Sequence, residues 1–454
     1  MYLIIQYLLV AVAFILTRFK SKSDRAIALP PGPSPKLLVG NALEIRKAPF
    51  LWLKLAEFAR SYGGMITIWL LWRPVIVLSD RRVVNELFEK RSATFSNRPT
   101  IQMAKLAGWE DSILFTKYNQ RLRTYRKLLH QTFNPRATMD FQDLQKNEVH
   151  KLMKRLSDTP RAFMQHAHLM AGSVAIRIAY GHRVSDSNDE FIRSAEDFMA
   201  AVGEATIPGR WMVETIPLLR FVPSWMPGAG FKRRTNEWAR KTVKHRQAPF
   251  DSAVKKIAEG TAEPSFISKL LDSEDSAQVI TAEQKDIVKV IASSLYGAGA
   301  DTTSSVLQFF FLAMTLYPDV QAKAQTEIDA YLGYNSRKPA RFLTMADREH
   351  LPYTRAVISE ALRWHPVLNL AVHNTESGEE FAFGYRIPGN TMVIANIWAI
   401  LHDPAVYINP NEFRPGRYFG DEPAPDPAPY AFGFGRRVCP GVHIAQQSLW
   451  LSIR

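Results

Sequence analysis

Apolar side chains are spread unevenly along the chain, and their spacing divides it into segments. The opening run MYLIIQYLLVAVAFILT (1–17) has no charged residue and is followed by Arg18, Lys20, Lys22 and Arg25. A cleaved leader carries its basic residues ahead of the apolar run and a small-residue cleavage site behind it. Here the charge follows, which predicts an uncleaved transmembrane anchor over 1–20, near the short end of the ~17–25 residues that cross a bilayer. The basic flank holds residue 18 onwards in the cytosol. The basic and proline-rich stretch 21–36, with LPPGPSP at 29–35, predicts a stiff hinge, and 37–454 one globular body.

Within that body APFLWLKLAEFARSYG (48–63) has helical spacing and a glycine stop. MITIWLLWRPVIVLSD (65–80) is rich in β-branched and aromatic residues, broken at Arg73-Pro74, and predicts a small hairpin. Helices dominate from about 120 to 335. The run 287–318, IVKVIASSLYGAGADTTSSVLQFFFLAMTLYP, predicts one long buried helix ending at Pro318. IPGRWMVETIPLLRFVPSWMPGAG (207–230) interrupts the helices with four prolines and two tryptophans. It is either a core-facing loop or an apolar loop dipping to a membrane, and aromatic-rich apolar loops favour the interface. EFAFGYRIPGNTMVIANIWAI (380–400) predicts short strands around a turn at Pro388-Gly389-Asn390. Helices and strands are segregated, so the class is α+β, mainly helical with a small β region.

Charge and cysteine content narrow the function. Against 57 Lys+Arg stand 43 Asp+Glu, a net +14, which suits nucleic acid, an anionic membrane or an acidic partner. The basic groups RLRTYRK (121–127), FKRR (231–234) and ARKTVKHR (239–246) come with no nucleic-acid-binding signature, so no nucleic-acid partner is expected. The single cysteine excludes a disulfide framework and a cysteine zinc site.

That cysteine, Cys439, lies in AFGFGRRVCPGVHIAQ (431–446). Free cysteines are usually small core hydrophobes, but these neighbours suit a reactive nucleophile or a thiolate bound to haem iron. Gly435 and Gly441 let the backbone pass close to a bulky flat ligand, and Pro440 leads into a helical run over 441–451. The helix entrance and the neighbouring Arg436 and Arg437 predict a lowered thiol pKa. Two other segments invite chemistry. Glu360 and Arg363, in SEALRWHP (359–366), share a helix face, in the plain reading as a surface ion pair. YGAGADTTSS (296–305) puts two glycines, an acid and two threonines inside an apolar helix. That is either a kink relieved by threonine–backbone bonds or a functional site.

Together these segments resemble the cytochrome P-450 family. Phe432-x-x-Gly435-x-Arg437-x-Cys439-x-Gly441 matches its haem-binding signature, and Ala298-Gly299-x-Asp301-Thr302-Thr303 its oxygen-activation motif. In the family Glu360 and Arg363 lock to a later arginine, and EFRPGRY (412–418) supplies Arg417. Arg126 and His373 sit where the family contacts haem carboxylates, and IANIWAILHDPAVYINPNEFRPGRY (394–418) looks like fungal members used in secondary metabolism. The resemblance implies heme b (iron protoporphyrin IX) with Cys439 as axial ligand, and O2 as co-substrate. It implies electrons from an NADPH-cytochrome reductase using NADPH, and a lipophilic substrate such as a terpenoid or polyketide. Gly299 is expected to clear space over the iron, and Asp301 and Thr302 to relay protons. The implied location is the endoplasmic reticulum membrane, spanned once, with membrane lipid around the anchor and the catalytic domain in the cytosol. Pocket candidates are 100–115, 207–230, Tyr296 to Ala300 and 367–372.

There are departures. Leu122 stands where the family usually has tryptophan, and Gly416 replaces the usual glutamate beside Arg417. Only residues 440–454 follow Cys439, so the usual C-terminal strands are expected to be lacking. The alternative function is therefore a truncated, catalytically impaired member of the family.

Overall fold

The computed structural model describes residues 27–271, 281–333 and 341–454, so the expected anchor over 1–20 lies outside the described residues. Among the described residues no helix is long and apolar enough to cross a membrane. Helix α1 (Leu51–Tyr62) buries Leu55, Ala56 and Phe58 and stops at Gly63, whose φ of 106° an L side chain rarely adopts. The predicted hairpin forms from β1 (Met65–Leu70) and β2 (Arg73–Leu78), antiparallel with Met65 opposite Leu78.

Longer helices follow, among them α2 (Gln120–Phe133), α3 (Gln142–Asp158), α4 (Phe163–Tyr180), α5 (Glu190–Thr206), α6 (Gly230–Ala258) and α7 (Ala282–Leu316). The long buried helix is α7, 35 residues, and Thr281 and Gln284 close a capping box at its start. Its glycines are packing devices. A Cβ at Gly297 would lie 2.2 Å from the Met199 sulfur of α5, and one at Gly299 3.2 Å from the Ala175 Cβ of α4. The main core forms where α4 and α7 pack with α2, α3, α8 (Pro352–Trp364) and α9 (Val442–Ile453). Leu449, Trp450 and Leu451 of α9 are buried in it, and the Trp450 Nε1 donates to Thr344 O at 3.1 Å. Apolar burial of that kind stabilises by roughly 1.5–3 kcal/mol per large side chain.

The remaining strands are β3 (Leu370–Asn374), β4 (Glu380–Ala382), β5 (Tyr385–Ile387) and β6 (Met392–Asn396). One sheet has the order β1-β2-β6-β3, with β2 and β6 parallel and β3 and β6 antiparallel; β4 and β5 form a separate hairpin. One expectation fails here. Residues 397–400 are helical rather than strand, because the Asn396 side chain accepts from Ala399 N at 3.1 Å and starts a turn over Ile397–Leu401.

The 207–230 interruption divides between its two readings. Val213 is buried and Trp211 packs edge-on against Trp238, with ring centroids 6.1 Å apart. Ile207, Met212, Ile216, Leu218, Phe221 and Trp225 are exposed, Trp225 by 76%. Half-buried Glu214 accepts from the N–H groups of Gln102 and Met103 at 2.9 and 2.8 Å, which ties this segment to the short helix Gln102–Leu106.

Candidate functional site

The lone thiol sits in a tightly folded loop. The Cys439 N–H donates to Phe432 O at 2.7 Å, closing a turn that runs through Gly433 (φ 78°) and Gly435 (φ 48°). Gly435 has a packing role of its own: a Cβ there would lie 2.2 Å from Phe88 O, and its N–H donates to Glu89 Oε1 at 2.8 Å, so it packs against the π-helical turn Asn85–Lys90. Phe434 anchors the loop from below, buried against Phe88 at 5.6 Å. Gly441 caps α9, and a Cβ on it would meet only the Cys439 sulfur, 3.9 Å away.

The thiol itself is partly buried, and burial pushes its pKa up, against the pull of the Gly441 N–H and Arg126. The expected lowering is thus reversed in the chain alone, because desolvation outweighs one N–H and one nearby cation. The two arginines before it do not flank the sulfur. Arg437 donates to Ser96 O at 2.7 Å and Thr116 O at 2.6 Å, and Arg436 lies over the Tyr118 ring at 4.9 Å.

Arg437 belongs instead to a cluster of cations. Burial, with Arg98 and Arg126 nearby, pushes it down to about 9. Arg98 is pushed down to about 10 by burial, and its Nε is buried with no partner. Arg126 extends from α2 and donates to Val438 O at 2.5 Å, next to the thiol loop. Leu122, buried in the core, does not prevent this. His373, on β3, gives Nδ1 to Phe95 O at 2.7 Å and stacks on Phe88 at 4.3 Å. Burial, then Arg98 and Arg437, push it down to about 3, so the ring is neutral. Among the described residues none of these arginines pairs with a carboxylate. Half-buried cations without acids still carry a desolvation cost, and this set suits an anionic ligand. Arg98 was not among the sequence candidates: it stands in a non-periodic loop before Pro99, and only the fold reveals its neighbours.

On α7, Ala298 and Asp301 are exposed, Asp301 by 53% along its side chain. Thr302 donates its hydroxyl to Ala298 O at 2.6 Å, so the threonine–backbone bond of the plain reading is present as well. Gly299 does not open the space expected of it: it faces Ala175 of α4, and the exposed small residue is Ala298.

The Glu360–Arg363 pair is no surface ion pair, since both side chains are fully buried. Glu360 accepts from Arg363 Nε (2.8 Å) and Nη2 (2.9 Å), Arg417 Nε (3.0 Å), Arg414 N–H (2.8 Å) and Tyr418 Oη (3.0 Å). Arg363 and Arg417 also donate to the carbonyls of Leu401, Ile408 and Glu412. This clamps α8 to the loop that leads to the cysteine turn.

A lone thiol on a tightly folded loop, an acid-free cluster of half-buried cations and an open patch on a long helix suit a dianionic, metal-bearing macrocycle such as haem. A buried unpartnered guanidinium nitrogen on Arg98 supports that fit. The cytochrome P450 family model matches residues 30–453. The chain is 38% identical to cytochrome P450 monooxygenase 98 of Postia placenta, over 98% of this chain and 84% of the relative. It is 36% identical to cytochrome P450 monooxygenase 208 of the same fungus, over 98% of this chain and 85% of the relative. To cytochrome P450 monooxygenase ppsD of Aspergillus oryzae it is 35% identical, over 100% and 86%. The family model and these relatives define a class of monooxygenases, and that family implies a haem held by a cysteine thiolate. The chain belongs to the cytochrome P450 family.

Proposed function

We propose that this monooxygenase oxidises a lipophilic small molecule of secondary metabolism, using electrons from NADPH delivered by a separate reductase. The observation that carries the reading is the acid-free cluster of Arg98, Arg126, Arg437 and His373 beside the Cys439 loop. In this reading Cys439 Sγ holds the haem iron and the cluster holds the haem carboxylates. Bound haem supplies the reductive activation of O2 and the insertion of one oxygen atom into the substrate. The protein's own share is to bind the substrate, exclude water and hold protons at Thr302 Oγ1 and Asp301 Oδ1. Exposed Leu114 and Leu368 lie near the site, on the loop of Ile113 and ahead of β3, and support an apolar substrate.

A hollow of about 170 Å3 beside Cys439 is lined by Arg126 and His130 of α2, and Arg123 and Lys127 of the same helix and Arg436 of the cysteine loop are exposed, which makes this a basic face. That face suits an acidic reductase, through long-range attraction. The apolar N-terminal run and the exposed apolar residues of 207–226 support attachment to the endoplasmic reticulum membrane.

The reduced, carbon-monoxide-bound absorption spectrum tests the reading. A red-shifted thiolate Soret band is expected from the purified protein; a haem-loaded protein without that band refutes it. Thr302→Ala is expected to keep the band but to divert NADPH consumption to hydrogen peroxide. Placed general acids contribute about 10²–10⁴-fold, so coupled product should fall at least about tenfold. Wild-type coupling in that variant removes Thr302 from the site.

A further inference from the structure

Four consecutive peptide carbonyls, from Thr94 to Asn97, are taken up by four different groups around the cation cluster. Thr94 O accepts from Glu376 N at 3.0 Å and Asn97 O from Asn374 N at 3.0 Å. Between them, Phe95 O accepts from His373 Nδ1 at 2.7 Å and Ser96 O from Arg437 Nε at 2.7 Å. Arg98 follows directly, and its Nη1 donates to Val372 O. This stretch straps the edge strand β3 to the cysteine loop. The Asn97 side chain adds a third segment: its Oδ1 accepts from Arg98 N at 2.9 Å and from Tyr118 N at 3.2 Å. Tyr118 lies two residues past Thr116, whose carbonyl takes Arg437 Nη2 at 2.6 Å. Asn97 is half-buried and both of these contacts are N–H donors, so the amide oxygen and not the amide nitrogen has to face them.

The strap answers an electrostatic need. Burial and the charge of Arg98 both push the Arg437 guanidinium down, and among the described residues neither arginine pairs with a carboxylate. Like charges held without acids move apart unless the backbone fixes them. Carbonyl oxygens do this with partial charges, so each guanidinium is placed without being neutralised. We propose that Asn97 is a positioning residue that sets the register of Arg98 against Arg437 and so decides how firmly haem carboxylates are held. The proposal rests on the reading of that cation cluster as the haem-carboxylate site. In Asn97→Ala the N–H groups of Arg98 and Tyr118 lose their acceptor, and the segments carrying Arg98 and Thr116 are released from each other. Arg98 is still present, but its guanidinium is less firmly fixed against Arg437.

The test follows haem in the full-length, haem-loaded enzyme. Asn97→Ala is expected to keep the thiolate Soret band, because it leaves the Cys439 turn intact. It should pass haem to an excess of haem-free myoglobin about tenfold faster than wild type, the worth of one or two hydrogen bonds. Asn97→Ser, whose acceptor is one bond shorter, is expected to fall between the two, and it serves where the alanine variant loads poorly. A readout that loosened packing alone would not move is the carboxylate bending band of haem in the resonance Raman spectrum. Asn97→Ala should shift it in the same direction as Arg98→Met, although it keeps the arginine. On an Arg98→Met background Asn97→Ala should add no more than about threefold to the rate of haem loss, because the two act through one contact. Where Arg98→Met moves both readouts, an unmoved band in Asn97→Ala, or its full effect on both backgrounds, overturns the proposal and leaves the cation-cluster reading standing. If Arg98→Met itself neither speeds haem loss nor shifts the band, that reading falls and the proposal with it.

Discussion

Glu360→Gln should lower the unfolding free energy by about 3–5 kcal/mol, the usual cost of removing one partner of a buried ion pair. The carboxylate is fully buried between two buried guanidinium groups and also accepts a backbone N–H and a tyrosine hydroxyl. Glutamine fills the same volume but leaves both arginines buried without a counter-charge. It also offers one acceptor oxygen where two now serve Arg363, Arg417 and Tyr418. Against a typical total of ~5–15 kcal/mol, that loss is enough to unfold much of a marginal chain. The effect should reach the cysteine. Arg417 O accepts from Ala424 N, and Tyr407 Oη donates to Pro425 O, so the segment before the thiol loop is carried by the clamp. Urea unfolding and the fraction showing the thiolate Soret band measure both consequences. A variant whose midpoint and haem loading equal wild type shows that the clamp is dispensable.

The sequence discloses this site unevenly, for physical reasons. The Glu360, Arg363 and Arg417 lock is legible only through the family resemblance; the spacing alone suggests a surface ion pair, and the fold buries it completely. The hairpin over 65–78, the glycine stop at Gly63 and the long helix through Asp301 follow from local spacing and turn chemistry. What stays hidden depends on which distant atoms meet. The thiol is raised and not lowered because burial is a property of the assembled loop. Arg437 turns to the carbonyls of Ser96 and Thr116, 341 and 321 positions earlier, which no local pattern indicates. Gly299 and Gly435 are legible as glycines, yet what each must clear, Ala175 and Phe88, comes only from packing.

Arg98→Met should move the stability of the haem-free and haem-loaded protein in opposite directions. In the chain alone the Arg98 guanidinium is pushed down to about 10 by burial, with an unpartnered Nε, while Arg437 and His373 feel its charge. A base whose folded pKa lies below its unfolded value of 12.5 destabilises the fold while it is charged. That cost is fully present at neutral pH and is relieved only as pH rises through about 10. Methionine removes the charge and keeps much of the length, giving up one bond to Val372 O. The haem-free variant should therefore melt no lower than haem-free wild type. Haem changes the sign, because its carboxylates would turn the buried cation into a charge-assisted donor. Losing such bonds costs about 1.5–3 kcal/mol, or roughly 10–150-fold in haem affinity. Because a ligand stabilises only the state that binds it, the rise in melting temperature on haem loading should shrink in the variant. Haem titration and melting curves of both forms decide the matter. If Arg98→Met lowers both melting temperatures equally and leaves haem affinity intact, Arg98 is a structural residue of the β3 edge and does not hold the cofactor.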